Sequence, residues 1–494
     1  LDAKTALNRL DLGIASLKDG EKDWKRRRDY FDGEQDKPFA PEGVNMEYEA
    51  LQEQAPANWI KLALLAPVQR LRCDGFRTGR DKAADKSAWT DVWQPNRLDS
   101  KQRLVYVNMM VHDLGIMSVW PNAAAPKSPV VRVESGKRVH LELDPEDPTR
   151  IEWAVKTFTL RGRAPSPLWV PNAAQVTGKK QVGIVYDDGE WWRFERDGDV
   201  GLWQFVKKGR NPLGESPFVP YSLNADEDGD LHPSIDPLIP QQDAINTIRF
   251  NTLLAMQFSA FRQRIFTGYD PVVRDEQGKP VWRKNGDGSV MTDAQGQPIP
   301  VLNSPGRIGV DRALVFPGKD TKVFDLPESN LGNYISVLSE FLSQFFATGQ
   351  VPPQYLLTRM ANLSGDALAG AESTLQALVK DLQTAAGESH EQVMRLANKA
   401  RGENAEDLAS EVIWGDAEAR SFAQTVDAIT KLIATGFPRR AAFEMIPGAT
   451  LTKVDEWMGQ IDAEQSDPFA LLDPVTRAAI KGVNSGDAAT GSGA

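Results

Sequence analysis

The chain has 494 residues, and its 57 Lys and Arg against 68 Asp and Glu give a formal net charge of −11. A hydrophobic fraction of 41% with 25% charged residues is globular and excludes wholesale disorder, while the length implies several sub-domains. The acidic balance speaks against a dedicated nucleic-acid binder with a basic face, and a single cysteine, Cys73, leaves no disulfide framework and no cysteine zinc site.

No stretch approaches the roughly 18 apolar residues of a membrane-spanning helix; the best run, 62–68, is flanked by Lys61 and Arg70. The first residues are charged from Asp2 onward and lack the apolar segment of a secretory leader. Leu7, Leu10, Ile14 and Leu17 recur at three-to-four spacing and predict an amphipathic helix. A basic run at 25–28 leads to Tyr30-Phe31-Asp32-Gly33, where the glycine is expected to end a second helix. Residues 59–72 read as a helix on Trp59, Leu62, Ala63 and Ala66, and 97–114 as another.

Beyond residue 117 the pattern turns to strands. Segments 130–133 and 139–143 flank Ser135-Gly136-Lys137 and predict a hairpin. Residues 151–160 alternate apolar and polar. Segments 183–186, 191–195 and 202–206 follow, separated by Asp188-Gly189 and Asp197-Gly198, dipeptides of tight turns. An antiparallel meander is expected.

Residues 237–266 predict a long helix with Ile245, Ile248, Met256 and Phe258 among its apolar members and Gln241, Gln242, Asn246 and Asn251 among its polar ones. Arg262 and Arg264 fall at its expected C-terminal end, where cations complement the helix dipole. Residues 267–318 are strand-and-turn, rich in Gly and Pro. Leu331, Tyr334, Ile335, Leu338, Phe341, Leu342 and Phe345 then form the strongest amphipathic stripe of the chain. Two long helices thus bracket a β insertion. Pro352-Pro353 breaks helicity over 350–362. Ser364 is a candidate N-cap for a long helix to Arg401, with Gly387 expected to interrupt it. A short strand at 411–414 and shorter helices at 417–434, 439–445 and 453–463 follow, and the Gly/Ala-rich end, 482–494, is expected to be disordered.

Catalytic chemistry is hard to find. His112, His140, His232 and His390 lie in four separate segments, with no helical metal spacing. No phosphate-binding Gly-x-x-x-x-Gly-Lys-Ser/Thr and no Gly-x-Ser-x-Gly occurs. Asn224-Ala225-Asp226-Glu227-Asp228-Gly229 matches the first half of an EF-hand loop, but position twelve falls on Ile235 where a bidentate Glu is required. A solvated acidic turn accounts for it, and Asp226 and Asp228 remain only weak cation candidates. No cofactor is expected and the chain does not read as an enzyme.

Four stretches in order carry a resemblance. Tyr30-Phe31-Asp32-Gly33-Glu34 comes first, then 211–224 (NPLGESPFVPYSLN). The third is 229–268, with Gln242, Asp243, Ala244 and Asn246 opening a Met/Phe-rich helix. The fourth is Asn362-Leu363-Ser364-Gly365-Asp366-Ala367-Leu368 with Glu372. Together they resemble tailed-bacteriophage portal proteins of the Gp6-like family, of actinobacteriophage type, across almost the whole chain. One departure is Leu231-His232-Pro233-Ser234, where that family pattern has Arg-Ser.

The resemblance implies an α+β, portal-type fold. A wing would span 1–225, followed by a linker and first stem helix over 226–266, a β-rich clip over 267–327 and a second stem helix over 328–349. A tunnel loop over 350–363 would lead to a long wing helix and strand over 364–416, a helical crown over 417–465 and a flexible tail over 466–494. It implies a homo-oligomeric ring, usually of twelve subunits, at one capsid vertex of the virion, assembled in the host cytoplasm. Double-stranded DNA would pass through it during packaging and ejection. Partners would be the terminase large subunit, major capsid and scaffold proteins and a head-tail adaptor, with no membrane. Gln350, Gln354, Thr358, Arg359 and Asn362 would line the tunnel loop, Arg359 making either transient phosphate contacts or an intersubunit ion pair. Gln242, Asn246, Arg249, Arg262 and Arg264 would belong to the stem, and Trp282, Arg283, Lys284, Asp287 and Asp293 would face terminase or adaptor from the clip. A net negative subunit suits a sleeve through which DNA slides, because many neutralised phosphates would hold it still. The rival readings are a helical adaptor or scaffold without a channel, and a carboxylate-based hydrolase.

Overall fold

The computed structural model describes residues 2–39, 46–79, 84–163, 176–198, 201–260, 264–267, 272–302, 322–325, 331–352, 365–403, 408–415, 422–446, 449 and 451–466. The chain forms two compact units. The larger holds Leu1–Asp36, Ala57–Asp243 and Leu342–Ala494, the smaller Lys37–Pro56 and Ala244–Phe341. Helix and sheet segregate along the chain, an α+β organisation.

The chain opens with α1 (Ala3–Asp19), capped by the Asp2 carboxylate, which accepts the Thr5 N–H at 2.7 Å. Helix α2 (Glu21–Asp32) ends at Gly33 with φ 85°, as the sequence predicts. Helix α3 (Met46–Gln54) belongs to the smaller unit. Helix α4 (Trp59–Val68) is apolar on most sides, and Ile60, Ala63, Leu64, Ala66 and Val68 are buried. It stops short of the predicted Arg72 because the chain must extend into β1 (Cys73–Arg77), which pairs antiparallel with β12 (Glu411–Trp414). A π-helical turn (Ala88–Trp93) leads to α5 (Leu98–His112), flanked by Arg97 and Asp113 with φ 56° and 51°.

Strands β2 (Gly115–Trp120), β3 (Val130–Glu134), β4 (Val139–Asp144), β5 (Asp147–Arg163), β6 (Val176–Tyr186), β7 (Glu190–Asp197), β8 (Gln204–Arg210) and β9 (Phe218–Tyr221) form two antiparallel sheets, ordered β3-β2-β9 and β4-β5-β6-β7-β8. The meander is as expected, and Asp187 and Glu190 close the turn at Asp188-Gly189 by an N–H to carbonyl bond of 3.0 Å. The expected hairpin of β3 and β4 does not form. The two strands sit in different sheets, because β3 finds the buried apolar strand β2 and β4 finds β5, while the Ser135–Arg138 turn carries the chain across. Gly136 makes that corner possible: a Cβ there would lie 2.2 Å from the Trp24 ring. Helix α1 covers the five-stranded sheet, with Ala6 and Leu10 against Trp153, Val155, Val185, Trp192 and Phe194.

A 3-10 turn (Asp236–Leu238) precedes α6 (Ile239–Ala260). The helix ends earlier than the predicted 266, because Arg264 already lies in β10 (Arg264–Thr267), paired antiparallel with β11 (Lys322–Asp325). Arg264 is therefore a strand residue and not a helix-end cation, and Arg262 lies outside the described residues. Helix α7 (Leu331–Thr348) follows. Helix α8 (Gly365–Arg401) buries Leu375, Val379, Leu382, Ala386, Val393 and Leu396 in the larger unit. Gly387 does not interrupt α8; the Trp414 indole lies 3.6 Å from where its Cβ would be. Ser364 and residues 482–494 lie outside the described residues. Helices α9 (Phe422–Ala434), α10 (Arg439–Glu444) and α11 (Leu451–Ser466) match the three short helices expected.

In the smaller unit, Leu51 and Ala55 of the α3 segment pack on Phe250 with Leu253 and Leu254 of α6, and Arg249 Nε donates to the Ala55 carbonyl at 2.7 Å. The β insertion has a regularity of its own. Asp275-Glu276-Gln277-Gly278, Asn285-Gly286-Asp287-Gly288 and Asp293-Ala294-Gln295-Gly296 each form a tight turn ending on a glycine with φ of 81°, 85° and 79°. The extended segments between them close into a three-sided prism. Bridges join Val272 to Leu302, Arg274 to Pro280, Trp282 to Pro300, Lys284 to Val290 and Thr292 to Pro298. Two rings of backbone hydrogen bonds cross it. Val273 donates to Val301, Val301 to Val281 and Val281 to Val273, at 2.9, 2.7 and 2.8 Å. Arg283 donates to Ile299, Ile299 to Met291 and Met291 to Arg283, at 2.9, 2.9 and 2.8 Å.

Candidate functional site

The roots of α6 and α7 carry the residues of the sequence pattern, and the structure gives them physical work. Gln242 is fully buried, and its Oε1 accepts the Trp59 and Ile60 N–H groups at 3.0 and 3.3 Å, capping the first turn of α4 from another helix. The Tyr30 hydroxyl donates to both oxygens of Asp243 at 2.9 Å. Burial, and then the Asp243 carboxylate, push the Tyr30 phenol up to about 12, while burial raises the Asp243 carboxyl above its ordinary value. Arg27 grips Asp236 through two bonds of 2.8 Å, and the Asn58 amide donates to the Phe31 carbonyl at 2.9 Å. The basic run 25–28 is thereby largely accounted for within the fold, since Lys25 pairs with Asp29 and Arg28 with Asp32.

The C-terminal end of α7 is fixed beside this root. Gln241 Nε2 donates to Thr348 Oγ1 at 3.0 Å, Phe345 and Phe346 are buried, and Phe346 meets Trp59 edge-on at 5.8 Å. The helix is left through Gln350, whose φ of 54° turns the chain. Of the expected tunnel-loop residues only Gln350 is described; Gln354, Thr358, Arg359 and Asn362 lie outside the described residues. Farther on, Glu372 of α8 accepts from Arg70 at 3.3 Å.

Of the expected stem residues, Gln242 and Asn246 are buried and Arg249 is bound to the Ala55 carbonyl. The expected clip residues build the prism. Asp293 accepts the Gln295 and Gln297 N–H groups at 3.0 and 2.8 Å, and Asp287 the Ser289 N–H at 2.9 Å. Arg283 lies in a hydrogen-bonded ring, Lys284 bridges Val290, and Trp282 is partly exposed at 36%. The Asp226 carboxylate is already occupied by the Asp228 and Asp230 N–H groups at 3.1 and 2.8 Å and by His232 Nε2 at 3.1 Å. Among the described residues no three His, Cys, Asp or Glu side chains gather as metal ligands.

Two polar centres were not visible in the sequence. Asp113, wholly buried, accepts the N–H groups of Leu223, Asn224 and His232 at 2.7, 3.0 and 3.1 Å, and so fastens the segment that leads from β9 toward α6. His390 of α8, also wholly buried, bonds the Tyr106 hydroxyl at 2.7 Å through Nε2 and the Tyr221 hydroxyl at 2.9 Å through Nδ1. Tyr106 continues to Gln102, whose Oε1 also accepts the Cys73 N–H at 3.1 Å. This line joins α5, α8, β9 and β1. A lone Asp after a helix and a lone His within one carry no signal of such partners.

The chain thus holds the roots of α6 and α7 by side-chain contacts that include the buried Gln242, Phe345 and Phe346. Over residues 21–467 it matches the family described as phage portal protein, SPP1 Gp6-like, and it belongs to that family. It is similar to the portal protein of Mycobacterium phage L5, with 26% identity over 451 residues covering 87% of this chain and 83% of that protein. It is likewise similar to the portal protein of Mycobacterium phage D29, with 25% identity over 450 residues and the same coverage of each.

Proposed function

We propose that the chain is one subunit of a ring at a single capsid vertex, a non-enzymatic conduit for double-stranded DNA during packaging and ejection. Its expected partners are copies of itself, the terminase large subunit, capsid and scaffold proteins and a head-tail adaptor. The family match over 21–467 carries this reading. The wing, stem, clip, tunnel loop and crown are assigned as the sequence pattern divides the chain, with the prism at 272–302 in the clip and α9–α11 in the crown. The hydrogen bonds of the buried Gln242 and of Asp243, Gln241 and Thr348 support the stem assignment, because a stem must be held firmly where it leaves the wing. The acidic charge supports the conduit: twelve copies at −11 would sum to roughly −130, a field that repels the DNA backbone over a screening length of about 8–10 Å.

Imaging of purified protein and of heads carrying it tests the proposal. Rings with a central opening, one per head, are expected. Protein that is monomeric alone and occupies no unique vertex of the head would overturn it.

A further inference from the structure

Between the end of α1, the start of α2 and the face of the five-stranded sheet lies a semi-open cavity of about 440 Å³. Its lining runs against the acidic trend of the chain. Lys18, Lys137, Arg138 and Arg196 face it, against the single carboxylate of Glu21. Among the described residues, Lys18, Lys137 and Arg138 form no ion pair, and all three side chains are exposed. Arg196 is held in place: its Nε and Nη2 donate to Gln181 Oε1 at 2.7 and 2.5 Å, and its guanidinium stacks 4.5 Å from the Trp203 ring centre. Trp24 forms another wall, backed by His112 at a ring separation of 3.5 Å. Burial above all, and then the cations Arg27, Arg28 and Lys137, hold the His112 imidazole low, at about 3.

Four cations around so small a volume repel one another, and in the cavity lining only the Glu21 carboxylate stands against them. A ligand with several negative charges would. The indole walls add a surface on which a flat ring can lie. Size narrows the class, for small-molecule sites run roughly 300–1,000 Å³, so one ring system with its phosphates fits and a helix or a duplex does not. We propose that this cavity binds a nucleotide unit, with the phosphates held by Lys18, Lys137, Arg138 and Arg196 and the base laid against Trp24 or Trp203. The unit could be a free nucleotide or the end of a single strand. None of the lining residues falls in the segments assigned to the stem, clip or tunnel loop, so the proposal does not rest on those assignments.

The test is calorimetric titration of the full-length protein at low salt with ADP, with pyrophosphate and with a short oligothymidylate. ADP is expected to saturate one site per chain, to bind roughly ten-fold more tightly than pyrophosphate because stacking adds to charge, and to weaken with salt. The double variant Lys137→Gln/Arg138→Gln, whose exposed side chains form no ion pair among the described residues, should lose about ten-fold or more in ADP affinity with unchanged thermal melting. Lys127→Gln, outside the cavity, should change nothing. Trp203→Leu should lower ADP affinity more than pyrophosphate affinity, because it removes a stacking wall while Arg196 keeps its bonds to Gln181. Displacement of ADP by the oligothymidylate identifies a strand end as the source; ADP binding that the oligomer leaves untouched identifies a free nucleotide. Absence of saturable binding, equal affinity for pyrophosphate and ADP, indifference to the double variant, or tighter binding of the acidic peptide Asp-Phe-Asp than of ADP would each overturn the proposal.

Discussion

The buried histidines make the larger unit sensitive to acid. His390 is held at about 3 by burial, as His112 is by burial first and nearby cations second, against an ordinary value of 6.5. Below 6.5 the unfolded chain takes up a proton at each site before the folded chain does, so stability falls as pH drops from 6.5 toward 3. Each site contributes a slope of up to about 1.4 kcal/mol per pH unit inside that window. Urea unfolding at a series of pH values should show the loss. His390→Gln should be less stable at neutral pH and have a shallower decline, and an unchanged decline would remove His390 from the explanation. Asp113 makes the second prediction at this scale. Asp113→Ala strands three N–H donors that now share one carboxylate and should cost roughly 3 kcal/mol by denaturant midpoint. Asp113→Asn, which keeps one acceptor oxygen, should cost less.

At the scale of elements, some of the architecture can be read from residues and some cannot. The stripe of Leu7, Leu10, Ile14 and Leu17 predicts α1, and the Asp-Gly dipeptides predict the meander, because both depend on local geometry alone. The partner of a strand is not local: β3 and β4 look like two arms of a hairpin, yet each gains more by joining a different sheet. The family pattern at Gln242 and Asp243 is legible as a pattern, but its reason lies in Trp59 and Tyr30, far away in sequence. The prism was open to reading as three Asp/Asn-x-x-Gly turns, obscured by their uneven spacing. Its two hydrogen-bonded rings should protect the amides of Val273, Val281, Val301, Arg283, Met291 and Ile299 from hydrogen exchange. Gly288→Val, forcing a β-branched residue to φ near 85°, should raise exchange across 272–302 while the larger unit is unaffected. Helices α10 and α11 are tied by charge: Arg77 to Glu444 at 3.0 Å, Lys86 to Asp455 at 3.0 Å, and Arg440 to Asp455 at 2.7 Å. Such partly exposed pairs are worth about 0.2–1 kcal/mol each and are screened by salt. Glu444→Gln with Asp455→Asn should therefore speed proteolytic cleavage near α10, as high salt should in the parent protein.

For the whole molecule, the testable step is from subunit to ring. Arg359, in the proposed tunnel loop, is the sharpest probe. With Arg359→Ala, rings that form normally but package less DNA favour contact with phosphate, and rings that fail to form favour an intersubunit ion pair. If assembly and packaging are both unchanged, the assignment of that residue is wrong.

The bridge between Val272 and Leu302 brings together the two points where the chain enters and leaves the prism. A segment whose ends already meet can be exchanged as a cassette. Lengthening a turn, swapping the whole prism for that of a related chain, or replacing 273–301 with a short turn alters neither the distance to be spanned nor the register of what flanks it. Selection for a new docking partner could therefore rewrite this stretch freely while the rest of the chain stays under its own constraints. The same property makes it the natural place to insert an affinity tag.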